Sequence, residues 1–194
     1  MEHWQSYLRG RVLELFGLKP RAIAAYGEAM RAKPDFLRPA NCIAYLLASQ
    51  DRYDEAEPYF QAVLRAEPGN AVAHFNLGFT FDKRGQFDKA IHEFREATRL
   101  NPKIDRAWYG LGLAFAQLGQ HREAAEALEQ AATLQPMNHH AWYQFGMALH
   151  ATGNTERFEQ VVMHLLRFDP KATRRLIQDT GRSDLAHLVA HLVV

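Results

Sequence analysis

The chain has 194 residues, 47% of them hydrophobic and 23% charged, with a formal net charge of +1, one cysteine, 12 Gly and 8 Pro. That composition fits a folded domain or an elongated array, and it excludes intrinsic disorder, collagen-like sequence and an internal disulfide framework. No apolar run approaches the ~18 residues of a membrane span, the start Met1–Ser6 lacks the build of a signal peptide, and a charge of +1 offers no broad field for nucleic acid, so a cytoplasmic protein that neither enters membranes nor binds nucleic acid is expected.

The prolines give the chain its frame. Pro34, Pro68, Pro102, Pro136 and Pro170 step by 34 residues, and an internal period of this length marks a repeat architecture. With the proline at position 32, the units are 3–36, 37–70, 71–104, 105–138 and 139–172. Positions 4, 7, 8 and 11 share one helical face, as do 20, 24 and 27. Each unit is therefore expected to hold two helices, A and B, packed face to face.

In chain order, the first helix A carries Trp4, Leu8, Val12 and Leu15, a spacing that suggests a packing face rotated from the other units. Gly17 ends it, and Pro20 opens helix B, where a missing N–H costs little. In unit 2, Pro39 opens helix A, Asp51 stands where the other units have Gly, and Pro58 is placed within about the first turn of helix B. Units 3 and 4 keep small residues at position 8 (Gly78, Gly112) and position 20 (Ala90, Ala124), so the two backbones can approach closely. Unit 5 departs, with Phe158 and Leu165 where small residues are usual, and its helix B must face something new. The tail is the candidate. A shorter helix around Thr173–Asp179, a break at Gly181 and a helix from Ser183 bearing Leu185, Leu188, Val189, Leu192 and Val193 read as a cap on the last unit.

Unit 4 shows the pattern most fully: Trp108, Leu111, Gly112, Phe115, Gly119, Ala124, Ala127, Ala131 and Pro136. This resembles the tetratricopeptide repeat (TPR) family. The likeness covers residues 3–172 as a repeat domain, with 173–194 as a capping segment. It implies an all-α fold, a right-handed superhelix (an α-solenoid) of five helix-turn-helix repeats plus a C-terminal capping helix, with helix A lining a concave groove.

Catalytic constellations are absent from the sequence: it has no Walker or Rossmann glycine loop and no Gly-x-Ser-x-Gly elbow. No enzyme activity, cofactor or metal is expected. His187 and His191 have i, i+4 spacing without the zincin acid, and read as a solvated face. His139, His140 and His150 could lie near one another, His74 holds the usual Trp position and reads as core, and Cys42 reads as a half-buried inert thiol.

The resemblance places positions 2, 5, 6, 9, 12 and 13 of helix A on the groove. Position 9 then carries Tyr45, Phe79, Leu113 and Met147, an apolar stripe of the kind that peptide-binding surfaces use. With Phe75, Tyr109 and Tyr143 at position 5, these residues are expected to supply apolar contacts. Asn41, Asn76, Arg38, Arg106 and Gln144 are expected to set polar register. The family's heat-shock co-chaperones grip a carboxylate with Lys and Asn in one repeat, Asn in the next, and Lys and Arg in the third. The best window here retains only Asn76 and, loosely, Arg106, which argues against that clamp. The resulting expectation is a scaffold, adaptor or chaperone-like binder that captures a partner peptide or helix in its groove. The alternative is a homo-oligomer assembled through the C-terminal helix or the convex face.

Overall fold

The computed structural model describes residues 1–190. The chain divides into two compact units, Met1–Leu100 and the residues from Asn101 onward. Among the described residues both units are helical, with no strand.

The first unit holds α1 (Glu2–Leu15), α2 (Lys19–Ala32), α3 (Arg38–Ala48), α4 (Tyr53–Ala66), α5 (Ala71–Lys83) and α6 (Phe87–Leu100). These are three A/B pairs, α1 on α2, α3 on α4 and α5 on α6. The helix A–helix B contact depends on missing side chains. A Cβ on Gly10 would sit 2.5 Å from the Tyr26 ring, and one on Gly78 would sit 2.8 Å from Phe94. Both rings are fully buried, as are Phe60 and Ala44 at the same positions of the second pair. Each such burial contributes about 2–3 kcal/mol. Between pairs, Ala40, Val63 and Ala73 form a small core flanked by Met30, Tyr59 and Leu64.

The second unit holds α7 (Asp105–Gln117), α8 (His121–Leu134), α9 (His139–Ala151), α10 (Thr155–Leu166), α11 (Pro170–Asp179) and a 3-10 segment, Ser183–Val189. Leu128 fills the space left by Gly112 as the aromatic rings do in the first unit. In the last pair the filler comes from elsewhere: Leu176 of α11 lies 2.7 Å from where a Gly146 Cβ would be. The tail also reaches the odd aromatic of this unit, since the Arg182 guanidinium stacks 5.3 Å over the buried Phe158 ring.

Four ladder prolines lie two residues past the ends of α2, α4, α6 and α8. The loop they form is held by a bond the period did not reveal. Trp108 Nε1 donates to the Pro102 carbonyl and Trp142 Nε1 to that of Pro136, both at 2.9 Å. His74 takes the Trp role, with Nε2 at 3.0 Å from the Pro68 carbonyl and Nδ1 at 2.6 Å from Glu93. Its side chain is nearly buried, as its place in the pattern implies. All five A-to-B turns use a left-handed residue: Gly17, Gly85, Gly119, Gly153 and, with φ 58°, Asp51. Asp is among the few side chains that tolerate this region, and here its carboxylate also accepts from the Tyr53 hydroxyl at 2.7 Å.

Four expectations need correction. Helix α1 is not rotated: Tyr7 and Gly10 face the core, while Trp4, Leu8, Val12 and Leu15 are exposed. Pro58 is the sixth residue of α4, not in its first turn, so the Asp54 carbonyl loses its helical donor. Pro170 does not merely end a helix. α10 stops at Leu166, and Pro170 opens α11 behind the Asp169 cap, whose side chain accepts from Ala172 N. The tail after Gly181 is a 3-10 segment rather than an α-helix, with Val189 buried and Leu185 and Leu188 half-buried. His191, Leu192 and Val193 lie outside the described residues.

The helix A faces as a candidate binding site

In the first unit the A helices are α1, α3 and α5. These three helices carry most of this unit's exposed large apolar side chains. Tyr45 is 58% exposed and Phe79 37%. Phe79 sits edge-on to Tyr53 at 6.3 Å, with Lys83 Nζ 5.1 Å over its ring. Phe75 is half-buried against Phe94. Arg38 is exposed and stacks on Trp4 at 5.8 Å, and Trp4 in turn packs on Phe36 at 4.8 Å. Asn41 points its Oδ1 into a buried spot with no protein partner, and Asn76 is half-buried beside it in the repeat order. The structure thus joins Arg38 to Trp4 and Phe79 to Tyr53 and Lys83.

Trp4, Leu8, Leu15 and Val72 are also exposed on these helices and were not among the expected contact residues. They occupy positions 2, 6, 13 and 2 of their units, so the positional frame held the signal. Leu8 is 57% exposed and Leu15 83%. A polar cluster joins Glu14, Tyr26 and Cys42. The Tyr26 hydroxyl donates to Glu14 at 2.5 Å, and burial pushes both the Tyr26 hydroxyl and the Cys42 thiol up from their ordinary pKa values. The thiol is therefore protonated at neutral pH and a poor nucleophile.

In the second unit the A helices are α7 and α9, and the same positions look different. Arg106 is exposed, whereas Leu113, Met147 and Gln144 are half-buried. Tyr109 packs with Trp108 and Trp142 on the core of Ala131, Ala132 and Ala141, and burial raises its hydroxyl pKa. The Tyr143 hydroxyl donates to Asp179 of α11, and the Arg175 guanidinium lies 5.3 Å over its ring. Burial, then this hydrogen bond, pushes the Tyr143 hydroxyl pKa up.

Among the described residues no group of three or more His, Cys, Asp or Glu could hold a metal ion. His139 and His140 stack at 4.0 Å, while His150 meets Phe158 at 5.8 Å. The described residues contain no helix long and apolar enough to cross a membrane.

Comparison with known proteins agrees with this architecture. Tetratricopeptide repeat models match residues 47–114, 105–138 and 139–171. No curated protein matches the sequence. Among solved structures, a MamA chain (41-end) from Desulfovibrio magneticus RS-1 is similar at TM-score 0.76 and 20% identity, covering 94% of this chain and 96% of its own. YrrB, described as a TPR protein with an unusual peptide-binding site, is similar at TM-score 0.78 and 20% identity, covering 91% and 90%. PilW, described as a widely conserved type IV pilus biogenesis factor, is similar at TM-score 0.73 and 18% identity, covering 90% and 82%. Identities this low speak to fold alone. With the family models spanning 47–171 and a further helix pair before them, the chain belongs to the tetratricopeptide repeat family.

Proposed function

We propose that the protein is a non-enzymatic interaction scaffold, and that the helix A face of its first unit captures an apolar segment of a protein partner. The observation that carries this reading is the exposure of Trp4, Leu8, Tyr45, Val72 and Phe79 on the A helices α1, α3 and α5. Large exposed apolar patches mark interaction sites, and aromatic anchors dominate such interfaces. Arg38, stacked on Trp4, and Lys83, over the Phe79 ring, edge the patch with positive charge. The peptide-binding description of YrrB fits a binding role on this fold. The cytoplasm remains the expected compartment.

The test is parallel affinity capture from native extract with wild type, Phe79→Glu and Met163→Glu. Met163 is exposed on α10, a helix B, and controls for added charge on any apolar spot. A partner retained by wild type and Met163→Glu but lost from Phe79→Glu is the expected result. Placing one charge in an interface core costs at least about 2 kcal/mol, or roughly thirtyfold in affinity. Equal retention by all three variants would remove the Tyr45–Phe79 surface from the account.

A second reading is self-association, favoured by the cluster of exposed Val12, Leu15 and Phe16 at the end of α1. Mass that rises with concentration and falls back on Leu15→Glu would favour it.

A further inference from the structure

Phe75, Phe79 and Asp82 stand at i, i+4 and i+7 of α5, on one face of the helix. Asp82 is half-buried, yet among the described residues its carboxylate accepts no hydrogen bond, and its nearest cation is its own neighbour Lys83. Burial pushes the Asp82 pKa up, with Lys83 opposing. A desolvated charge without a donor costs stability.

The first helix pair shows what Asp82 lacks. Position 12 of unit 1 is Glu14, and the Tyr26 hydroxyl, from position 24, donates to it at 2.5 Å. Unit 3 keeps an acid at position 12 but has Phe94 at position 24, which carries no hydroxyl. Units 2 and 4 have alanine at position 12, Ala48 and Ala116. The repeat therefore does not require an acid here, and the pair that holds Asp82 gives it no donor.

The surroundings suit a cation. The Phe79 and Tyr53 rings meet edge-on at 6.3 Å. The Tyr53 hydroxyl donates to Asp51 at 2.7 Å. That bond and then burial push its pKa up to about 12, and the Asp82 charge adds to the shift. Lys83 Nζ already lies 5.1 Å over the Phe79 ring and 3.9 Å from Asp82. At that distance it makes no hydrogen bond, and its side chain is 45% exposed, so it is a loose occupant. The other nearby cations are committed, Arg52 to Glu55 and Arg84 to Asp54 and Glu57. Asp51 and Asp82 leave one negative charge in excess of Lys83. All of these residues belong to the first unit.

We propose that Asp82, with the Phe79 and Tyr53 rings, binds an arginine side chain of the partner segment, whose guanidinium takes the place of the Lys83 ammonium. A guanidinium is weakly hydrated, stacks on aromatic rings and gives a carboxylate two parallel bonds. The inference rests on capture of an apolar segment by the first unit's A helices, and it adds a charged residue to that segment.

The experiment is fluorescence anisotropy with the full chain and two labelled peptides, Leu-Leu-Arg-Leu-Leu and its citrulline counterpart, which keeps the shape and loses the charge. The arginine peptide is expected to bind about tenfold tighter, the scale of one charge-assisted bond. Asp82→Asn should remove that preference by weakening the arginine peptide alone. Lys83→Met keeps the apolar stem, and should tighten the arginine peptide about threefold without moving the citrulline peptide. Glu126→Gln removes one negative charge from an exposed residue of the second unit and should leave both peptides within about twofold. Asp82→Asn should also melt at a higher temperature at neutral pH, because it deletes an ionised carboxylate that burial disfavours. An acid kept for the fold would give the opposite sign.

The proposal is overturned if neither peptide binds, if the two bind equally, if Lys83→Met weakens the arginine peptide, or if Glu126→Gln costs as much as Asp82→Asn. Equal binding of both peptides that is lost from Phe79→Glu would remove the arginine site and leave the apolar surface standing. Equal retention of an extract partner by wild type and Phe79→Glu would instead remove the surface itself.

Discussion

The two units carry the same helix A positions and use them in opposite ways. In the first, Trp4, Tyr45, Val72 and Phe79 stand open to solvent. In the second, Tyr143 is held by Asp179 and Arg175 of α11, and Leu113 and Met147 are half-buried. The cause is not the repeat, which is equally regular in both. For Tyr143 it is the helix that follows the last pair. α11 inserts Leu176 over Gly146 to finish the core, and its outer turn then covers part of the face that other pairs leave free. In a repeat array each element contacts its neighbours, so a terminal helix decides the exposure of the pair beside it.

The strongest way to break this contrast is Leu176→Ala. Leu176 is fully buried, and its two methyls lie nearer to the space over Gly146 than the Val161 methyl does. The loss should be about 2–5 kcal/mol. It should appear as faster hydrogen exchange in α9, α10 and α11, with α1 through α4 unchanged. Equal acceleration along the chain would mean that the units open together, and the contrast would lose its energetic basis.

Pro58→Ala is the next test, with the opposite sign. The proline sits at the sixth residue of α4 and leaves the Asp54 carbonyl without its helical donor. Restoring that donor should stabilise α3, α4 and α5 by about 1–3 kcal/mol, read as slower exchange confined to the first unit. No gain would show that the neighbouring structure has already adapted to the ring.

The helix pairs were legible in the sequence because their determinants are close-range. A proline at position 32, a left-handed residue at 15 and a small residue at 8 each act within a single 34-residue unit, and all can be counted. The displaced elements were harder to see. The early start of α11 depends on Asp169 acting as a helix cap, ahead of where the 34-residue step places the next unit. The face of α1 was misjudged because Trp4, Leu8, Val12 and Leu15 are spaced like a packing stripe, and periodicity cannot tell a buried stripe from an open one. Of the expected contact residues, Tyr45, Phe79, Arg38 and Arg106 are exposed, while Phe75, Tyr109, Leu113 and Met147 are half-buried. Exposure at a given position depends on the next helix, which the position itself does not encode.

The smallest effect should come from Asp179→Asn, which removes the carboxylate charge facing the Tyr143 hydroxyl and leaves Leu176 in place. Tyr143 has its pKa raised in the folded state by burial and by its bond to Asp179, with Arg175 opposing. A group raised on folding contributes stability below its unfolded pKa and loses it as pH rises through the folded value. The wild-type second unit should therefore lose some stability as pH climbs past the ordinary tyrosine range near 10. In Asp179→Asn the hydroxyl no longer faces a carboxylate, so Tyr143 should titrate earlier and the alkaline loss should shrink. The ring resonances of Tyr143 followed against pH would show this directly. If they titrate identically in both proteins, α11 does not hold the Tyr143 hydroxyl in solution, and the difference between the two faces reduces to side-chain identity rather than coverage by the tail.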